Sequence, residues 1–295
     1  MEIVNMLTQK SFTPSSAGSL YLVPTPIGNL DDMTFRAVQI LKEADLILAE
    51  DTRNTQKLLN HFAVDTKQMS FHEHNTQERI PAILEMLADG RTIAQVSDAG
   101  MPSISDPGKE LVQAAVQAGL KVIPLPGANA GTTALIASGL APQPFTFYGF
   151  LARKPKEQQA ELEKLKNHPD TLIFYEAPHR LAKTVKNIAT VMGTERQMVL
   201  ARELTKRYEE FIRGSVAEVQ EWIASTEIRG EFVVMVAGNP HPQAVENQDW
   251  ESLTINEHVQ KIIDEEKVKP TIAIKQVAKL RGLAKQEVYD IYHQL

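Results

Sequence analysis

Twelve residues, Ser97 to Gly108 (SDAGMPSISDPG), hold two Gly, two Pro, two Asp and three Ser directly after the apolar run Thr92 to Val96. A loop this poor in bulky side chains leaves backbone N–H and C=O groups open at the carboxyl edge of a sheet, where open α/β folds bind ligands. An ordinary strand–helix turn needs a single Gly or Asn, so the extra length points to a ligand loop. Asp98 suits either a ligand ammonium or ribose, or the N–H groups of its own turn. Two more polar clusters end apolar runs: Glu50-Asp51-Thr52-Arg53 after Leu46 to Ala49, and His72-Glu73-His74 after Gln68 to Phe71. Carboxylates and imidazoles at such strand ends are candidates for proton transfer. On an extended segment His72 and His74 share a face and Glu73 takes the other. Two His and one Glu lack metal-site spacing, and no metal is expected. A helix cap and a surface His-rich turn are the plain alternatives.

The elements that position these groups alternate. Strands at Leu20–Val23, Leu46–Ala49, Gln68–Phe71, Thr92–Val96 and Lys121–Pro124 are separated by helices at Met33–Lys42, Asn54–Phe62, Thr76–Ala88 and from Lys109, with another from about Asn129. Asp32 is the expected cap of the first helix. Strict βα alternation predicts a mostly parallel sheet covered on both faces. The cluster Gly139 to Pro144 suggests a boundary. Beyond it, strands near 145–149, 171–175, 198–201, 209–213 and 231–237 alternate with helices near 156–167, 179–192 and 216–224, and a close pair around Leu204–Tyr208 predicts a mixed sheet. Helices at Ile255–Glu266, Thr271–Leu280 and Ala284–His293 form a tail with helix-turn-helix spacing, or a three-helix cap. The expected organisation is a loose tail (1–18), an N-terminal α/β domain (19–140), a C-terminal α/β domain (141–240) and a helical tail (250–295).

Composition narrows the class. Hydrophobic residues make up 43%, charged residues 23%, and cysteine is absent, which excludes disulfides and thiolate metal sites. The first residues lack a basic start and a long apolar core, and no run reaches membrane-spanning length, so a cytoplasmic, soluble chain is expected. The net charge of −6 argues against a general nucleic-acid binder, yet 151–187 carries eight Lys/Arg against five Asp/Glu. Such a patch suits a few phosphate contacts on a structured RNA, or simply a solvated helix face. PGANAGTT lacks the Lys of a phosphate loop, and no GxGxxG follows a strand.

With PTPIGNL (24–30), AEDTRNT (49–55), PGANAGTTALIASGL (126–140), FYEAPHR (174–180) and RELTKRYEEFIRG (202–214), the ligand loop resembles one family. That family is ribosomal RNA small subunit methyltransferase I, a branch of the tetrapyrrole methylases. The resemblance spans roughly residues 19 to 240. It implies a two-domain tetrapyrrole-methylase-like (class III methyltransferase) α/β fold. It also implies transfer of methyl from S-adenosylmethionine to the 2′-oxygen of a cytidine in 16S rRNA of the 30S subunit, near the decoding centre, commonly by a homodimer. The donor would be held by Gly100, Met101 and Ile104, by Ala128, Asn129 and Ala130, and by Tyr175, Leu204 and Phe232, with Asp98 beside them. The loop around Pro26 stands where the superfamily carries a glycine-rich one. Base candidates are His72, Glu73 and Glu50, and Glu176 is placed near the donor ribose. Phosphate contacts are expected from Arg36, Arg53, Arg153, Lys154 and Lys156, and a base platform from Phe71, Tyr148 or Tyr175. A tetrapyrrole-type small-molecule methylase and a non-catalytic ribosome-assembly factor are the alternatives.

Overall fold

The computed structural model describes residues 6–241 and 253–293, and the chain divides into two compact units after Asn239. The first unit opens with β1 (Ser19–Leu22), α1 (Phe35–Glu43), β2 (Leu46–Ala49), α2 (Thr52–His61), β3 (Gln68–Ser70), α3 (Thr76–Ala88), β4 (Thr92–Gln95), α4 (Lys109–Gln117) and β5 (Lys121–Pro124). The strands form a parallel sheet of order β3-β2-β4-β1-β5. Side chains alternate across it: Ile47, Ala49 and Ala94 pack with Ala37, Leu41 and Leu59 of α1 and α2. Leu48 and Ile93 pack on the other face with Ile83, Leu87, Leu111 and Ala115 of α3 and α4. Burial on both faces is why these strands read as continuous apolar runs.

Asp32 does not cap α1. It lies in a short 3-10 turn, Leu30–Asp32, and the Thr34 hydroxyl caps the helix by accepting from the Ala37 N–H at 3.1 Å. Residues 6–18 run against the sheet edge. The Gln9 carboxamide accepts the Val122 N–H and donates to the Val122 C=O, each at 2.9 Å.

The second sheet comprises β6 (Phe145–Phe150), β7 (Thr171–Glu176), β8 (Gln197–Arg202), β9 (Glu210–Ser215) and β10 (Phe232–Val236), in the order β6-β7-β10-β8-β9. Only β6 and β7 run parallel; the other pairs are antiparallel. One face is covered by α6 (Pro155–Leu165), α7 (Pro178–Met192) and α8 (Val216–Ser225). The opposite face is covered by α5 (Ala130–Ser138), although α5 precedes the Gly139–Pro144 break. Its Ala134 and Leu135 pack on Ile173, Val199, Ala201, Val233 and Met235. Arg213 of β9 donates to the last α5 carbonyls, 2.7 Å to Ala137 and 3.0 Å to Ser138. The chain therefore joins the second sheet at α5, ahead of the punctuation that sequence reading uses.

The second unit holds α9 (Ile255–Glu266), α10 (Pro270–Arg281) and α11 (Lys285–His293) around Val259, Ile262, Ile274, Val277 and Val288. Thr254 and Glu257 form a capping box on α9. Arg281 Nε donates to the buried His258 ring at 3.1 Å. Among the described residues no helix is long and apolar enough to cross a membrane.

Replacing Leu135 with Ala should remove the α5 anchor and lower the unfolding free energy by about 2–5 kcal/mol. A urea titration checks this through a reduced midpoint at unchanged slope, and an unmoved midpoint contradicts the packing.

Candidate active site

The loops at the carboxyl ends of β1 and β4 are tied together by main chain. Thr25 and Gly100 exchange both backbone hydrogen bonds, at 2.9 and 3.0 Å. The Ser97 hydroxyl also donates to the Gly100 carbonyl at 2.9 Å, and the Thr25 hydroxyl to the Ser97 carbonyl at 3.1 Å. Gly100 adopts φ +81°, and a Cβ there would meet Ile27 Cγ2 at 3.3 Å, so glycine is needed for conformation and space alike. Its N–H and C=O are engaged within the protein; what it offers a ligand is its bare surface.

Beside this bridge lies a cleft of about 400 Å³ that faces the second sheet. Asp98, Gly100, Met101 and Ile104 line it from the long loop, Asn129 and Ala130 from the start of α5, and Tyr175, Leu204 and Phe232 from the second sheet. Ala128 and Pro26 do not line it. The Ala128 carbonyl backs Gly100, and Pro26 borders a separate hollow of about 230 Å³ with Asn54, Thr55 and Lys57.

Asp98 finds its partners on the neighbouring strand end rather than within its own turn. It faces the cleft, and its carboxylate accepts the Asp51 N–H at 3.3 Å and the Asn54 amide at 3.0 Å at the start of α2. Asp51 caps α2 and pairs with Arg53 at 2.7 Å, and those bonds hold its carboxyl at about 2. Glu50 sits in the same group as Asp98, His72 and Asp106. Burial, then the Asp98 charge, pushes the Glu50 pKa up. Its carboxyl lies within hydrogen-bonding reach of Asp106, a cleft-lining residue. Asp106 is pushed to about 7 by burial, by the Glu50 charge and by donating to Glu50.

Asp106 is the residue that sequence reading missed as chemistry. It stands in the quoted SDAGMPSISDPG motif, where an Asp shortly before a helix reads as a cap. The actual N-cap of α4 is Gly108 at φ +132°, without a side-chain bond, which releases Asp106 toward Glu50.

His72 is half-buried, with Asn75 Nδ2 3.3 Å from its Nε2, and its ring lies 6.0 Å from that of His74. The segment turns rather than extends, since the His72 carbonyl accepts from both Asn75 and Thr76 N–H. Glu73 and His74 are exposed. Among the described residues no group of three His, Asp or Glu side chains is placed to hold a metal.

Glu176 lines the cleft but is engaged elsewhere. Its carboxylate takes the Ala177 N–H, the Thr184 hydroxyl and the Arg180 guanidinium at the start of α7. Arg180 in turn caps the Leu151 carbonyl at 2.7 Å. Phe71 is core, while Tyr148 and Tyr175 sit beside Phe174 and Phe150. The Tyr175 hydroxyl accepts the Gly131 N–H at 3.1 Å.

None of Arg36, Arg53, Arg153, Lys154 and Lys156 lines the cleft; all five are exposed. Arg36 lies over Phe12, and Lys154 pairs with Glu157 at 3.0 Å. The wall they leave vacant is built by Lys206, which bonds Glu203 and Glu231 at 3.0 Å each.

The model of the family described as Tetrapyrrole (Corrin/Porphyrin) Methylases matches residues 19–220. "Ribosomal RNA small subunit methyltransferase I" of Streptococcus pyogenes serotype M18 is 51% identical over 294 residues, covering 98% of this chain and 100% of that protein. The protein of that name from Bacillus subtilis (strain 168) is 52% identical, covering 97% and 98%. The chain belongs to the ribosomal RNA small subunit methyltransferase I family. Solved structures of this family's wider fold align over most of the first unit. Uroporphyrin-III C-methyl transferase from Thermus thermophilus, complexed with S-adenyl homocysteine, gives a TM-score of 0.53 at 19% identity, covering 75% of this chain and 97% of that one. Diphthine synthase gives 0.58 at 13% identity, covering 75% and 90%. The family thus carries the two-sheet α/β fold that the motifs implied.

The raised Asp106 pKa has a sign. Between about pH 4 and 7 an unfolded chain ionises this group while the folded one keeps it protonated, so its ionisation progressively destabilises the fold and the penalty levels off above 7. Asp106→Asn should therefore melt at a higher temperature than the parent at pH 8 and at the same temperature near pH 3.5. An equal melting temperature at both pH values contradicts the pairing with Glu50.

Proposed function

We propose that this methyltransferase moves a methyl group from S-adenosylmethionine to the 2′-oxygen of a cytidine in the 16S rRNA of the small ribosomal subunit. The observation that carries the reading is the 51–52% identity, over nearly the whole chain, to proteins named for methylation of small-subunit ribosomal RNA. A cleft of cofactor size supports an enzyme rather than a passive assembly factor.

The lining fits such a donor. Met101, Ile104, Leu204 and Phe232 offer apolar surface for an adenine, and Gly100, Ala130 and Ala201 allow close approach. Asp98, Asp106, Glu203 and Glu231 face the cleft, with Lys206 its one lysine or arginine among the described residues. That excess of carboxylate suits a ligand bearing an ammonium and a sulfonium. When bound, S-adenosylmethionine supplies a methyl carbon on positively charged sulfur, and its transfer leaves a neutral thioether.

The protein's own part is alignment and proton removal. A ribose hydroxyl is a weak acid, and a base that takes its proton during attack contributes typically 10²–10⁴-fold. Glu50 takes that role, with Asp106 holding its carboxylate in place; His72, at the end of the neighbouring strand, faces Glu50, while Glu73 is exposed. Asp98, Asp51, His72 and Tyr175 are the other titratable groups facing this pair. Arg53, Arg153, Lys154 and Lys156, all exposed, and Arg36 on α1 are the phosphate contacts of this reading. The same reading includes a homodimer in the cytoplasm; sedimentation velocity measures the former.

Incubation with labelled S-adenosylmethionine and small subunits from a strain lacking the enzyme should label one cytidine ribose, located by mass mapping. Label on a base, or none on the subunit, overturns the assignment. Loss of the proton that Asp106 donates to Glu50 should appear as a fall of kcat/KM above about pH 7. Asp106→Asn, which keeps a donor at every pH, should abolish that fall, and Glu50→Gln should lower kcat by about 10²-fold or more with donor affinity retained. A Glu50→Gln enzyme of parental kcat excludes Glu50 as the base.

A further inference from the structure

Next to the cleft lies an open groove between the loop after β1 and the loop joining β8 to β9. Asn29, His61, Thr205, Lys206 and Arg207 line it, and its volume is about 750 Å³. Lys206 lines both groove and cleft, so the two are neighbours. The two loops interlock at Gly28: a Cβ there would stand 2.4 Å from Lys206 Cγ, and φ is +155°.

The β8–β9 loop is stiff for its exposure. Glu203 and Thr205 hold φ of +50° and +65°. Glu209 accepts the Thr205 N–H at 2.7 Å, and Glu203 accepts the Glu231 N–H at 3.1 Å. At its tip Tyr208 is 67% exposed, with the Arg207 guanidinium 5.7 Å from its ring centroid. Glu203 and Glu231 neutralise Lys206, whereas among the described residues no carboxylate pairs with Arg207. Among the described residues Asp31 is the only carboxylate lining this groove.

We propose that this groove seats the single-stranded RNA flanking the methylated nucleotide, with Arg207 and His61 toward phosphates and Tyr208 stacked on a neighbouring base. The inference rests on the ribosomal RNA reading and names the surface that reading lacked. An exposed aromatic beside an unpaired guanidinium, on a loop already ordered, is the chemistry that recognises an unstacked base next to a phosphate. Adjacency to the cleft through Lys206 puts that base within a few nucleotides of the reacting ribose.

The test compares Tyr208→Ala, Tyr208→Phe and Arg207→Gln in the full-length enzyme, with small subunits and with deproteinised 16S rRNA. Tyr208→Ala should raise KM and weaken RNA binding on the order of tenfold, and Tyr208→Phe should restore both. Arg207→Gln should reduce the slope of log affinity against log salt by about one. Melting temperature and calorimetric affinity for S-adenosylmethionine should stay at parental values in all three. Parental KM and salt slope in Tyr208→Ala and Arg207→Gln overturn the proposal, as does an effect confined to intact subunits, which would mean a protein contact. Failure of the parent to label subunits sinks the functional reading instead, and RNA binding by the variants still judges the groove.

Discussion

The cleft depends on the double hydrogen bond between Thr25 and Gly100. Strands β1 and β4 are parallel neighbours whose following segments lead to different helices. Their loops would separate unless something joined them. The Thr25–Gly100 bridge does so, and the Ser97 and Thr25 hydroxyls complete a small buried network around it. Leaving one such buried group unpaired costs about 1–3 kcal/mol. Because Gly100 is held by its backbone on one side, the remainder of the loop, Met101 to Asp106, is directed toward the cleft.

Much of the fold is readable from apolar runs. LILA at 46–49 and TIAQ at 92–95 are almost wholly buried because helices cover both faces, and β-bounds drawn from those runs fall within a residue or two of the observed ones. The cleft-lining residues of the long loop were legible for a related reason: small residues in excess of what a turn needs must serve something else. The Glu50–Asp106 pair was not legible, because the two positions are far apart in sequence and meet only through strand order. Placing β2 beside β4 brings their carboxyl ends together, and no local pattern specifies that neighbour. The role of α5 was hidden likewise. Its apolar residues surround the helix, so periodicity names no face, and the choice of sheet is made by Ile173, Val199 and Met235 far downstream. The basic residues singled out by sequence all lie outside the cleft, since counting charge locates a patch but not the wall it belongs to.

The charge is sorted by depth. Carboxylates predominate in the inner cleft, and Arg207, which no carboxylate pairs among the described residues, lies on an outer loop. On the proposed reading, an acidic interior suits a cationic methyl donor and disfavours phosphate, so a polyanionic substrate would meet the rim while only a neutral ribose enters. A net charge of −6 is then compatible with an RNA substrate, because a small number of positioned cations sets register while the overall field suppresses unspecific binding.

Backbone strain follows the same division. Ser103, Ser105, Glu203 and Thr205, four of the six non-glycine residues with positive φ among those described, lie in the two loops that flank the cleft. Each such conformation costs on the order of 1–3 kcal/mol and persists only where surrounding bonds over-determine it. Those bonds are present: Gln95 Nε2 to the Pro107 carbonyl at 2.8 Å on one side, and the Lys206–Glu203–Glu231 group on the other. Walls fixed in this way do not have to order themselves when substrates arrive. Methyl transfer between two bound molecules gains rate from alignment of the reacting atoms, and loops ordered in advance favour that alignment.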